Sequence, residues 1–192
     1  MPQIAADYRI STYLRDSMGV YVNLYIPSSV RWTQDGAQIS LKQQGEYPFD
    51  GHVQLEISAS KPVDFSLNLR IPSWVDKASV SVNGKPQDVA PGGFALLRRN
   101  WKDGDQVDLE LPLTMRLEAL DPRHADTVAL MSGPLVLFGL GEHNADVTRA
   151  QLLGAKKTRQ KSWQVESGKG VLQFLPFIEI SDQQYSTYLR VS

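Results

Sequence analysis

Cysteine is absent from the 192 residues, which excludes disulfides, thiolate nucleophiles, zinc–thiolate sites and iron–sulfur clusters. Histidine is scarce: His52, His124 and His143 stand far apart in no metal-ligand spacing, and no metal or cofactor is assigned. No stretch approaches the roughly 20 apolar residues of a membrane helix. Residues 1–7 lack the cationic region and apolar run of a secretory signal, so the chain taken by itself is expected to stay in the compartment where it is made. An excess of one charge is also missing. Twenty Lys and Arg against 21 Asp and Glu give a formal net charge of −1, which disfavours nucleic acid and anionic membrane as partners. What is present is ordinary globular composition, 42% hydrophobic and 21% charged, enough for one large domain or two small ones.

The chain changes period early. Ile4, Tyr8, Ile10 and Leu14 recur at short helical spacings behind Pro2, so residues 2–16 read as one amphipathic helix closed near Gly19. From Val20 the period falls to two: Val20, Val22, Leu24 and Ile26 alternate with Tyr21, Asn23 and Tyr25. Ile39 with Leu41, then Val53, Leu55 and Ile57, then Phe65, Leu67, Leu69 and Ile71 repeat the pattern, as do Val107, Leu109 and Leu111. Val80 and Val82 lead into Asn83-Gly84, the strongest short hairpin signal because both residues accept positive φ. Residues 94–98 are the expected return strand. Asp35-Gly36, Asp50-Gly51 and Asp103-Gly104 mark further turns.

About eight short strands with one apolar face each must bury those faces against one another, and two stacked antiparallel sheets achieve this. The expected fold class is therefore all-β, an antiparallel sandwich of jelly-roll or immunoglobulin-like type over residues 18–118, preceded by a helix over 1–17. Residues 119–192 read as a second, smaller β-rich region that packs on or completes the sandwich. Within it, residues 127–131 and 134–140 are strands around Ser132-Gly133-Pro134, 146–161 is a basic loop or short helix, and 171–174 and 185–191 close the unit.

Few residues are placed for chemistry. Glu46 and Asp50, and Asp103 with Asp105, are carboxylate pairs of the kind hydrolases use, yet turn chemistry alone accounts for Asp before Gly. No Gly-x-Ser-x-Gly elbow nominates a serine, and Gly139-x-Gly141 lacks the third glycine of a nucleotide cradle. The basic Lys156, Lys157, Arg159 and Lys161 have no interleaved aromatics, and read as a solvated loop. No catalytic residue is assigned. Aromatic side chains remain: Tyr21, Tyr25, Trp32, Tyr47, Trp74 and Trp101 are the candidates for stacking a carbohydrate or anchoring a neighbouring domain. Trp74 and Trp101 also suit the core. By alternation, Tyr21 and Tyr25 point away from it.

The ordered set Gly19-Val20-Tyr21-Val22-Asn23-Leu24-Tyr25-Ile26-Pro27-Ser28, Tyr47-Pro48-Phe49-Asp50-Gly51, Leu69-Arg70-Ile71-Pro72-Ser73-Trp74, Val82-Asn83-Gly84 and Trp101-Lys102-Asp103-Gly104-Asp105 carries a resemblance. Ser132-Gly133-Pro134-Leu135-Val136, Pro176-Phe177 and Tyr185-Ser186-Thr187-Tyr188 complete it. Together they resemble the C-terminal β-sandwich region of the β-L-arabinofuranosidase-like glycoside hydrolases, family 127 and its relatives. That resemblance implies an (α/α)6 catalytic barrel ahead of the sandwich, holding a catalytic cysteine, zinc-binding cysteines and a glutamate. None of those cysteines has a counterpart here. Residues 2–16 resemble the barrel's last helix, so the implied role is a non-catalytic support for the barrel, with that barrel as partner. A homodimer contact and a carbohydrate ligand are the further partners to be considered.

Overall fold

The computed structural model describes residues 10–90, 92–141, 146–159 and 161–192. The chain divides into two compact units, one ending at Pro112 and one beginning at Leu113. Among the described residues the first unit has ten strands: β1 (Tyr13–Arg15), β2 (Gly19–Val22), β3 (Ser28–Gln34), β4 (Ala37–Gly45), β5 (His52–Ala59), β6 (Val63–Ile71), β7 (Ser79–Val82), β8 (Lys85–Gln87), β9 (Gly93–Trp101) and β10 (Asp105–Glu110). They form a four-stranded sheet ordered β1-β2-β6-β9 and a six-stranded sheet ordered β3-β4-β5-β10-β7-β8. All pairings are antiparallel except β2 with β6. The alternating apolar residues of both sheets share one core, in which Leu41, Leu55, Ile57, Leu67, Leu69, Leu109 and Trp101 are fully buried. Each such side chain contributes about 1.5–3 kcal/mol by leaving water. This is the expected antiparallel sandwich.

The second unit contains β11 (Met115–Ala119), β12 (Thr127–Ser132), β13 (Leu135–Leu140), a short helix α1 (Arg149–Leu153), β14 (Lys156–Arg159), β15 (Ser162–Ser167), β16 (Gly170–Pro176), and the two-residue strands β17 (Tyr185–Ser186) and β18 (Leu189–Arg190). The sheet runs β11-β12-β13-β16-β15-β14, with β17 on β13 and β18 on β12. Its own core gathers Val128, Leu130, Leu137, Leu152, Trp163, Val165 and Phe174. The segment read as a basic loop or short helix becomes both helix and strand. Thr148 and Gln151 form a capping box that starts α1, and β14 follows by pairing with β15.

Three further expectations change. The helix expected over 2–16 falls largely on residues 1–9, outside the described residues; residues 10–12 are helical, but Tyr13–Arg15 is a strand. Pairing with β2, Tyr13 opposite Val22 and Arg15 opposite Val20, outweighs a weak helical period, as tertiary context commonly does. The run from Val20 to Ile26 stops as a strand at Val22, where the backbone N–H groups of Asn23 and Leu24 turn to donate to the Thr12 carbonyl. Asn83 and Gly84 do turn a hairpin, with φ of 51° and 73°, but the returning strand is β8. Residues 94–98 instead lie in β9, alongside β6 in the other sheet.

Candidate functional site

The six aromatic candidates do not converge on one site. Trp101 is fully buried, its indole Nε1 donating to the Phe65 carbonyl at 3.0 Å and its ring stacked on Phe65 at 5.5 Å. Trp32 meets the same Phe65 edge-to-face at 5.4 Å. Tyr25 is buried too, donating its hydroxyl to the Arg70 carbonyl at 2.6 Å, with Tyr47 edge-on at 5.7 Å. Burial pushes the phenols of both Tyr25 and Tyr47 above the usual tyrosine range. Trp74 and Tyr47 pack on the core from a half-buried position. The expectation that Tyr25 points outward therefore fails: alternation has no force beyond the end of β2.

Tyr21 alone of the six lies on an outer face. Cross-strand partners share a side of the sheet, and the row Leu14–Tyr21–Asn68–Leu96 crosses β1, β2, β6 and β9 in register. Phe94, two residues from Leu96 along β9, meets the Tyr21 ring edge-to-face at 5.3 Å. Leu14, Phe94 and Leu96 are 50%, 43% and 64% exposed, which makes this an apolar strip across the outer face of the four-stranded sheet. Polar groups pin its base. Asp16 accepts from the Met18 and Gly19 N–H groups and from the Tyr21 hydroxyl at 2.9 Å. Those bonds hold the Asp16 carboxyl below its ordinary range and raise the Tyr21 phenol. The Asn68 amide, 6% exposed, donates to the Val20 carbonyl. Phe94 and Leu96 were not singled out in the sequence, and Leu14 was read on the apolar face of a helix; the signal was an apolar residue on both faces of one strand, as at Phe94-Ala95-Leu96-Leu97.

Asp50, Asp103 and Asp105 hold backbone N–H groups. Asp50 accepts from the His52 N–H and Asp103 from the Ala59 N–H. Asp105, 8% exposed, accepts from the Asn83 amide at 2.8 Å and from the Lys102 N–H at 2.9 Å. Burial alone would raise the Asp105 carboxyl, but these bonds and the nearby Arg99 and Lys102 hold it low. A cluster that the sequence did not indicate lies on the outer face of the six-stranded sheet. There His52 Nδ1 sits 2.6 Å from Glu110 and Nε2 3.7 Å from Asp108. Around it the sheet is open, and among the described residues no group of three or more His, Asp or Glu could hold a metal ion. His143 lies outside the described residues. No described helix is long and apolar enough to cross a membrane.

A two-sheet module whose core takes up most of its candidate aromatics, with an apolar strip on one outer face, is a β-sandwich. Residues 19–113 match the family model described as β-L-arabinofuranosidase, GH127 middle domain, and the segment is similar to that middle domain. The match is to a middle domain, where the sequence had suggested a C-terminal region. The non-reducing end β-L-arabinofuranosidase of Bifidobacterium longum subsp. longum is 34% identical over 106 residues, 51% of this chain and 16% of that enzyme. Among solved structures, the GH127 β-L-arabinofuranosidase from Geobacillus stearothermophilus T6 aligns with a TM-score of 0.82 and 24% identity, over all of this chain and 37% of that one. Another, described as a glycoside hydrolase, aligns at 0.76 and 22%, over 94% of this chain and 37% of that one. The chain thus spans well under half the length of these relatives, and the structural likenesses establish fold.

Proposed function

We propose that the two units are consecutive non-catalytic β modules of a glycoside hydrolase related to the arabinofuranosidases, and that they support its catalytic barrel. The observation that carries this reading is the apolar strip Leu14–Tyr21–Leu96 with Phe94. Leu14, Phe94 and Leu96 are largely exposed, and exposed apolar surface grouped in this way marks a protein contact. The candidate aromatics are committed in the opposite sense: Trp32, Trp101 and Tyr25 are locked in the core, where no sugar ring can stack on them. In this reading the middle domain seats the catalytic barrel on its four-stranded sheet, and the enzyme's chemistry resides outside these residues. The relatives' printed activity makes arabinofuranosides the substrate class to test.

Two measurements decide. The purified chain is expected to release no sugar from arabinofuranosyl substrates, and turnover that co-purifies with it overturns the proposal. Supplied in trans, the wild-type chain is expected to co-purify with the catalytic domain of a family 127 enzyme. Leu96→Asp is expected to abolish that association while preserving the fold, and undiminished association of this variant rules out the strip as the seat.

A further inference from the structure

The second unit carries a surface of different chemistry, and the register of its sheet defines it. Gln164 on β15 lies opposite Gln173 on β16, and Leu175, two residues on, lies opposite Phe138 on β13. Leu140, two residues beyond Phe138, lies opposite Tyr185 on β17. Partners across strands and residues two apart along a strand share a face, so Gln164, Gln173, Leu175, Phe138 and Tyr185 share one side of this sheet. The intervening Trp163, Phe174 and Leu137 point the other way, into the unit's core.

On that outer side, three rings gather at one end. Phe138 meets Tyr185 edge-to-face at 5.3 Å and Phe177 at 5.8 Å. Phe177 opens the 3-10 turn Phe177–Glu179 and is 65% exposed; Tyr185 is 42% exposed. Beside the rings lies a cleft of about 760 Å³ whose lining includes Thr158, Arg159, Gln164, Gln173 and Glu179. Glu179, at the far end of the Phe177 turn, is paired with Lys161 at 3.1 Å. Leu175 lines the same cleft and pairs with Phe138, which makes cleft and rings one continuous surface.

We infer that this surface binds an oligosaccharide chain. Sugars present apolar C–H faces and a rim of hydroxyl groups, so their sites combine exposed rings with fixed amides, hydroxyls and charged groups. Here Phe177 and Tyr185 offer the rings. Gln164 and Gln173 offer both donors and acceptors, Arg159 offers donors only, and the Lys161–Glu179 pair offers one of each. The cleft's volume falls within the ordinary range of small-molecule sites, roughly 300–1,000 Å³. This inference does not depend on the docking role of the first unit, which uses different residues on a different sheet.

Calorimetric titration of the full chain with arabinan-derived and with uronic-acid oligosaccharides tests it. Saturable binding to one of them is expected, weakened about tenfold or more by Phe177→Ala and by Gln173→Ala, with Leu96→Asp leaving it unchanged. Circular dichroism confirms that each variant is folded. Preference for the uronic-acid ligand that Arg159→Gln removes assigns the guanidinium to a carboxylate; neutral ligands bound equally assign it to hydroxyl groups. Either preference supports the site. No saturable heat with either class up to about 10 mM ligand overturns the inference, as does sedimentation showing a dimer that Phe177→Ala disperses, since the rings then form a protein interface.

Discussion

At the scale of single residues, two glycines show how differently one residue type is constrained. A Cβ at Gly19 would lie 1.9 Å from the Ser66 carbonyl oxygen, because β2 and β6 run side by side there. Gly84 has φ of 73° but open space around it. Gly19→Ala is therefore expected to cost more than about 2 kcal/mol, and Gly84→Ala only about 1 kcal/mol of backbone strain; denaturant midpoints of the two variants check the order. Asp105 gives a pH prediction. Its folded-state pKa is depressed, so its stabilisation is present above the unfolded value near 3.9 and is lost as pH falls through the folded one. Acid unfolding of wild type against Asp105→Asn is expected to show a shallower loss of stability below about pH 4 in the variant. The turn role of Asp103 and Asp105 was legible from their neighbouring Gly104. The burial of Tyr25 was not, because it depends on where β2 ends.

Among elements, the four-stranded sheet has one face committed to the core and the other carrying its apolar strip. Replacing Phe94 and Leu96 together by Ser is expected to leave thermal stability nearly unchanged, within about 0.5 kcal/mol per site, while reducing self-association and hydrophobic-dye binding. A large drop in melting temperature would instead place these side chains in the fold's own packing. The strands themselves were readable wherever apolar residues alternate, as in β5, β6 and β10. Partners were less readable. The Asn83-Gly84 turn identified a hairpin, yet the choice between β8 and β9 as its return depended on β6, which takes β9 along its whole length from Val63–Trp101 to Ile71–Gly93.

For the whole molecule, two separate cores imply two sources of cooperativity. Leu130→Ala in the second unit is expected to cost about 2–5 kcal/mol and to lower the unfolding of that unit, read by Trp163 fluorescence on a background of the other tryptophans, and by amide exchange confined to residues 113–192. Equal loss of protection in both units would show that they unfold as one. What the sequence determined by itself was the class: alternation of period two, Gly-bearing turns and the absence of cysteine specify an antiparallel sandwich without thiol chemistry, since these follow from local geometry and residue type. The tertiary structure alone decided which aromatic rings are spent in the core and which faces stay open. Those outcomes depend on strand ends and cross-strand register, and a shift of one residue exchanges the two sides of a strand.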